Sequence, residues 1–86
     1  MFYFTSDHPH FWVQLKGNNA GQPLRDKSPN SIGIRTDQDV LNPDYLFYTL
    51  SYLFTTGVFR RMLKGSVIPY IRQGDITIAL VDHWFR

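Results

Sequence analysis

This sequence predicts an α+β fold: a small, largely antiparallel sheet packed against one long and one short helix, in a single domain over residues 1–86. Three observations carry that prediction. Short aromatic and β-branched runs open the chain, and Ser31 to Thr36 alternates with period two. A strongly apolar stretch of helical periodicity follows a good helix start at Asn42-Pro43. The length of 86 residues allows one compact domain and no second.

Met1-Phe2-Tyr3-Phe4-Thr5 and Phe11-Trp12-Val13-Gln14-Leu15-Lys16 read as two strands, paired as a hairpin or as neighbours across Ser6-Asp7-His8-Pro9. Gly17 to Asn30 then reads as a polar loop rich in Gly, Pro and Asn, of the length at which loops tend to be functional. Ser31 to Thr36 alternates as a strand, with Ile32 and Ile34 on one face. Asn42 caps a helix over Pro43 to Thr55, with Pro at the first helical position and Asp44 at the positive end of the dipole. On that helix Leu46, Leu50, Leu53 and Phe54 form one stripe and Tyr45, Tyr48 and Tyr52 a second, so it is expected to be buried on most sides or to sit at an interface. Gly57 precedes a shorter helix, Val58 to Lys64, that Gly65 ends, with Phe59, Met62 and Leu63 inward. Ile76 to Val81 alternates and reads as a last strand; the alternative is a short helix capped by Asp75.

Composition narrows the function classes. Apolar residues make up 43% of the chain and aromatics 16%, too much for a disordered tail. The net charge of +2 permits anionic partners without requiring one. All seven acids are Asp and cysteine is absent, which removes disulfides, thiolate metal sites and a Cys nucleophile. The apolar run Tyr45 to Phe54 is far shorter than the roughly 20 residues of a membrane span. With no basic leader at Met1-Phe2-Tyr3-Phe4, a soluble cytoplasmic protein is expected.

Catalytic patterns are weak. Asn42-Pro43-Asp44-Tyr45 is similar to the Asn-Pro-Pro-Tyr loop of amino-methyltransferases, but a Gly-rich cofactor loop after a strand is missing, and helix capping accounts for Asn-Pro. Asp7, His8 and His10 offer a carboxylate and two imidazoles at a spacing that shares a face on a strand, but the turn expected at Pro9 favours surface histidines, and no carboxylate cluster for two-metal hydrolysis is evident. Neither an enzyme nor a cofactor or metal site is expected. Cations interleaved with amides are the stronger signal: Lys16, Asn18, Asn19, Gln22, Arg25 and Lys27, then Arg60, Arg61 and Lys64, then Arg72 with Gln73, all able to meet phosphates and base edges.

Val40 to Leu50, with its Leu-x-Pro-x-Tyr-Leu-x-Tyr-x-Leu spacing, then Gly65-Ser66-Val67-Ile68-Pro69-Tyr70-Ile71, then Gly74-Asp75-Ile76 through Leu80, resemble the distal half of a target recognition domain in type I restriction–modification specificity subunits. The resemblance is strongest over residues 40–80. It implies non-catalytic recognition of double-stranded DNA, with Gly65, Ser66 and Tyr70 in the turn that shapes the DNA-facing surface. Chemistry in that family comes from separate methyltransferase subunits, which become possible partners. Such recognition domains are longer than this chain, so a minimal member that completes its core or its grip as a homodimer is expected. The expected DNA contacts are Lys16, Asn18, Asn19, Arg25, Lys27, Arg60, Arg61, Lys64, Ser66, Tyr70 and Arg72. The alternative is a small protein-interaction module that oligomerises through the tyrosine face of its helix.

Overall fold

A computed structural model describes residues 1–65 and 67–86. Its elements are β1 (Phe2–Phe4), β2 (Phe11–Gln14), β3 (Pro23–Leu24), β4 (Ser31–Thr36), α1 (Pro43–Thr55), α2 (Val58–Met62) and α3 (Gln73–Trp84). The strands form one antiparallel sheet in the order β1-β4-β2-β3, so the α+β architecture expected from the sequence is present.

Strand pairing differs from the hairpin reading, because β4 lies between β1 and β2. The connection between them is tied to β4 at both ends: the Thr5 N–H donates to the Gly33 carbonyl at 2.9 Å and the His10 N–H to that of Ile34 at 2.8 Å. Both edges of β4 are thereby satisfied, which a direct β1–β2 hairpin would leave open on one side. The polar segment after β2 is also more ordered than a plain loop. It returns through a turn at Gly21, whose N–H donates to the Gln14 carbonyl at 2.7 Å, and Pro23 and Leu24 pair with Val13 and Trp12. Pro23 begins this two-residue edge strand, where a missing N–H is tolerated.

α1 follows the sequence closely. Asn42 Oδ1 accepts from the N–H groups of Asp44 at 2.8 Å and Tyr45 at 3.3 Å, satisfying two of the donors that a helix start leaves open. Leu46, Leu50 and Leu53 are buried, and so is Thr49, whose hydroxyl donates to the Tyr45 carbonyl at 2.8 Å. α2 is shorter than expected: it stops at Met62, and Lys64 pairs with Tyr70 instead.

Residues 76–81 belong to a helix, not a strand, correcting the favoured reading of that run. Ile76, Ala79 and Leu80 are the buried positions while Ile78 and Val81 are exposed, an i, i+3, i+4 pattern that the apparent alternation of Ile76, Ile78 and Leu80 conceals. Asp75 stabilises the first turn by accepting from the Arg72 N–H at 3.1 Å.

The core lies between the sheet and the helices. Phe11, Val13 and Ile34 from the sheet meet Leu46, Leu50, Phe59, Ile76 and Leu80 from the helical layer, all at most 1% exposed. Each such side chain contributes about 1.5–3 kcal/mol through burial. Because side chains alternate along a strand, the sheet's other face carries Tyr3, Trp12, Gln14, Leu24 and Arg35 and is free of helices. Among the described residues no helix is long and apolar enough to cross a membrane.

Candidate nucleic-acid interface

β2 continues past Gln14 in extended form and acquires a new neighbour. The Ile71 N–H donates to the Leu15 carbonyl and the Gly17 N–H to the Pro69 carbonyl, each at 2.8 Å, while Lys64 and Tyr70 exchange N–H···O bonds of 2.9 Å. Lys16, Tyr70 and Lys64 are thus directly opposite one another in antiparallel bridges, and residues so placed point to the same side. Their neighbours Leu15, Leu63 and Ile71 pack on the core, so this row starts from the side opposite the core, the side of Trp12 and Gln14, with the Lys64 ammonium turned to Asp75 at the start of α3. The Arg72 guanidinium lies 5.9 Å from the centre of the Tyr70 ring, within cation–π range.

Amides border the row. Lys16, Asn18 and Asn19 line a shallow groove with Gln14, Gln22 and Ser28. Gln14 is committed internally: its Nε2 donates to the carbonyls of Lys16 at 3.1 Å and Pro29 at 3.0 Å, and its Oε1 accepts from the Ser28 hydroxyl. Farther along the same face Lys27 sits 5.6 Å from the Trp12 ring centre.

Electrostatics divides the cations. Lys64 Nζ donates to Asp75 Oδ2 at 2.9 Å, and this hydrogen bond, with that from the Arg72 N–H, holds the Asp75 carboxyl below the usual carboxylate range against a smaller opposing effect of burial. Among the described residues Lys16, Lys27 and Arg72 have no carboxylate partner. Arg25 bonds Asp44 at 3.1 Å and lies 3.7 Å from the Phe47 ring centre. It braces the start of α1 and is not aimed at a ligand. Arg60 and Arg61 belong to the helical layer, with Arg61 beside Tyr52, Asp82 and His83.

The structure therefore gathers Lys16, Asn18, Asn19, Lys64, Tyr70 and Arg72, adds Lys27 along the same face, and leaves Arg25, Arg60 and Arg61 elsewhere. Ser66 lies outside the described residues. Trp12 joins the surface although the sequence reading does not single it out, and so does Gln22, which that reading offers as able to meet phosphates or base edges. The period-two alternation through Trp12, Gln14 and Lys16 is a usable signal for Trp12; the pairing across Tyr70 has none. His10 is a structural residue: its Nδ1 accepts from the Thr36 N–H at 3.1 Å, and burial, then the Arg35 charge, lower its pKa. Among the described residues no three His, Cys, Asp or Glu side chains are grouped to hold a metal ion.

The class defined by this fold and surface is a small two-layer α+β domain whose helix-free sheet face carries cations and aromatic rings beside β2 and is covered at Gly33 by Thr5 and Pro9. Within that class, the chain belongs to a family of unknown function (DUF6943), whose model matches residues 4–84. No curated protein and no solved structure matches it.

Proposed function

We propose that this chain is a non-catalytic DNA-binding domain that grips a duplex with the helix-free face of its sheet. The observation that supports this most is the row Lys16–Tyr70–Lys64 with Arg72 against Tyr70. Unpaired cations there would meet phosphates, and Asn18 and Asn19 would reach sugar or base edges from the adjoining groove. A resemblance to specificity-subunit recognition domains points the same way, and a cytoplasmic location and an external methyltransferase partner belong to this proposal.

The test is fluorescence anisotropy of a labelled duplex at two or more salt concentrations. Affinity should fall linearly with salt on logarithmic axes. Lys16→Ala with Arg72→Ala should reduce the slope by about 1.8, or about 0.9 for each phosphate that is no longer neutralised. Absence of binding at low salt, or binding insensitive to salt, overturns the proposal.

A second reading has an observation of its own. Tyr45, Tyr48 and Tyr52 are 54%, 64% and 58% exposed and border, with Thr49 and His83, a shallow groove on the helical layer. Such a face suits an oligomer contact, which in a DNA-binding protein would pair two copies across a symmetric site. Sedimentation equilibrium distinguishes the cases: a parent that is dimeric, with a monomeric Tyr48→Ser/Tyr52→Ser variant, supports this face as the contact.

A further inference from the structure

Just before Tyr70, a short tip at Val67-Ile68 holds two β-branched apolar side chains in solvent, at 89% and 63% exposure. Its base is braced. The two Lys64–Tyr70 hydrogen bonds close the loop, and the Pro69 carbonyl is anchored by the Gly17 N–H. Gly65 turns the chain at φ +87°, where a Cβ would come within 2.7 Å of the Ile68 carbonyl oxygen, so the fold of the tip depends on glycine there. Around this base stand Lys16 and Arg72, which have no ion-pair partner among the described residues, the Asp75-paired Lys64 and the ring of Tyr70.

We propose that Val67 and Ile68 form an apolar wedge that enters a base step of the bound duplex, while Lys16 and Arg72 hold the flanking phosphates. This rests on the DNA-binding reading and gives it a mechanism. Wedging needs one or two apolar side chains beside cations, because partial unstacking of a single step bends the duplex and brings more phosphate to the protein. A basic collar around an apolar tip also fits an anionic bilayer. Two short side chains and two free cations, however, fall well below the paired anchoring signals that stable membrane attachment takes.

The experiment uses the full chain and a duplex carrying a donor and an acceptor fluorophore at its ends. Binding of the parent should raise energy transfer as the duplex bends. Val67→Ser/Ile68→Ser should return transfer to the free-duplex value and weaken binding about tenfold, with the residual binding still salt-dependent because Lys16 and Arg72 still meet phosphate. Both positions are exposed, and a thermal melt matching the parent verifies that the variant is folded. A duplex bound without bending, or bent equally by the variant, overturns the wedge and leaves the DNA-binding reading standing. Failure to bind duplex at low salt removes both, and binding to phosphatidylserine vesicles in its place overturns the wedge in favour of lipid insertion.

Discussion

Gly21→Ala is expected to be among the most damaging single-methyl additions to this protein. Gly21 has φ +97°, and a Cβ there would lie 2.5 Å from Cγ, 2.6 Å from Cβ and 2.7 Å from Cδ2 of Phe59. A non-glycine residue in that backbone region carries about 1–3 kcal/mol of strain. The clash is with the inner part of a side chain that is 0% exposed, so Phe59 cannot swing clear, and overpacking adds about 1–3 kcal/mol. The sum, about 2–6 kcal/mol, compares with a total stability of about 4–13 kcal/mol for a domain of this length. Urea denaturation followed by circular dichroism should show a midpoint lowered by about 2 M or more, taking an m-value near 1 kcal/mol/M. Gly74→Ala is the control: its Cβ meets nothing within 4 Å, and α3 should be unchanged or firmer by up to about 1 kcal/mol. If overpacking contributes, Gly21→Ala combined with Phe59→Leu should destabilise by less than the sum of the two single changes. A Gly21→Ala variant within about 0.5 kcal/mol of the parent, inside the range of an ordinary surface substitution, would refute the reasoning.

Other expectations follow from caps and titrating groups. Asn42→Ala removes the acceptor for two N–H groups of α1 and should destabilise by about 1 kcal/mol, whereas Asn42→Asp should retain most of the stability in the same melt. His10 has a pKa lowered from 6.5, so its contribution is complete above that value and is lost as pH falls through it towards the folded-state pKa. Protonation would also put a donor against the Thr36 N–H. A parent stability that declines between pH 7.5 and 5.5, with a shallower decline in His10→Gln, is the expected outcome. For Asp75, lowered from 3.8, the contribution is present above that pH and disappears as pH falls through the folded-state pKa. Asp75→Asn should therefore flatten the acid limb of the stability curve below about pH 4.

Legibility in the sequence follows the range of the interactions. α1 runs from Pro43 to Thr55 as expected, because its start depends on Asn42 and Pro43 and its buried face on Leu46, Leu50 and Leu53, all within a few residues of one another. β4 is legible for a similar reason. α3 escapes the strand reading because Ile76, Ile78 and Leu80 satisfy a period of two while Ile76, Ala79 and Leu80 satisfy the helical period; burial selects the second set. The basic residues show the same division. Arg25 and Lys27 are two positions apart, yet one is drawn to Asp44 and Phe47 and the other to Trp12.

By itself the sequence determined the fold class, the capped helix and the alternation that puts Trp12, Gln14 and Lys16 on one side of a strand, since propensity, capping and periodicity act locally. Tertiary structure alone decided that β4 enters between β1 and β2, that the last apolar run is helical, and that Lys16, Lys64 and Arg72 surround Tyr70. Those outcomes depend on which distant backbone groups and apolar faces satisfy one another when the chain closes on its core. Residues 16 and 64 meet only through hydrogen bonds to the segment around residue 70, and no spacing in the sequence encodes that meeting.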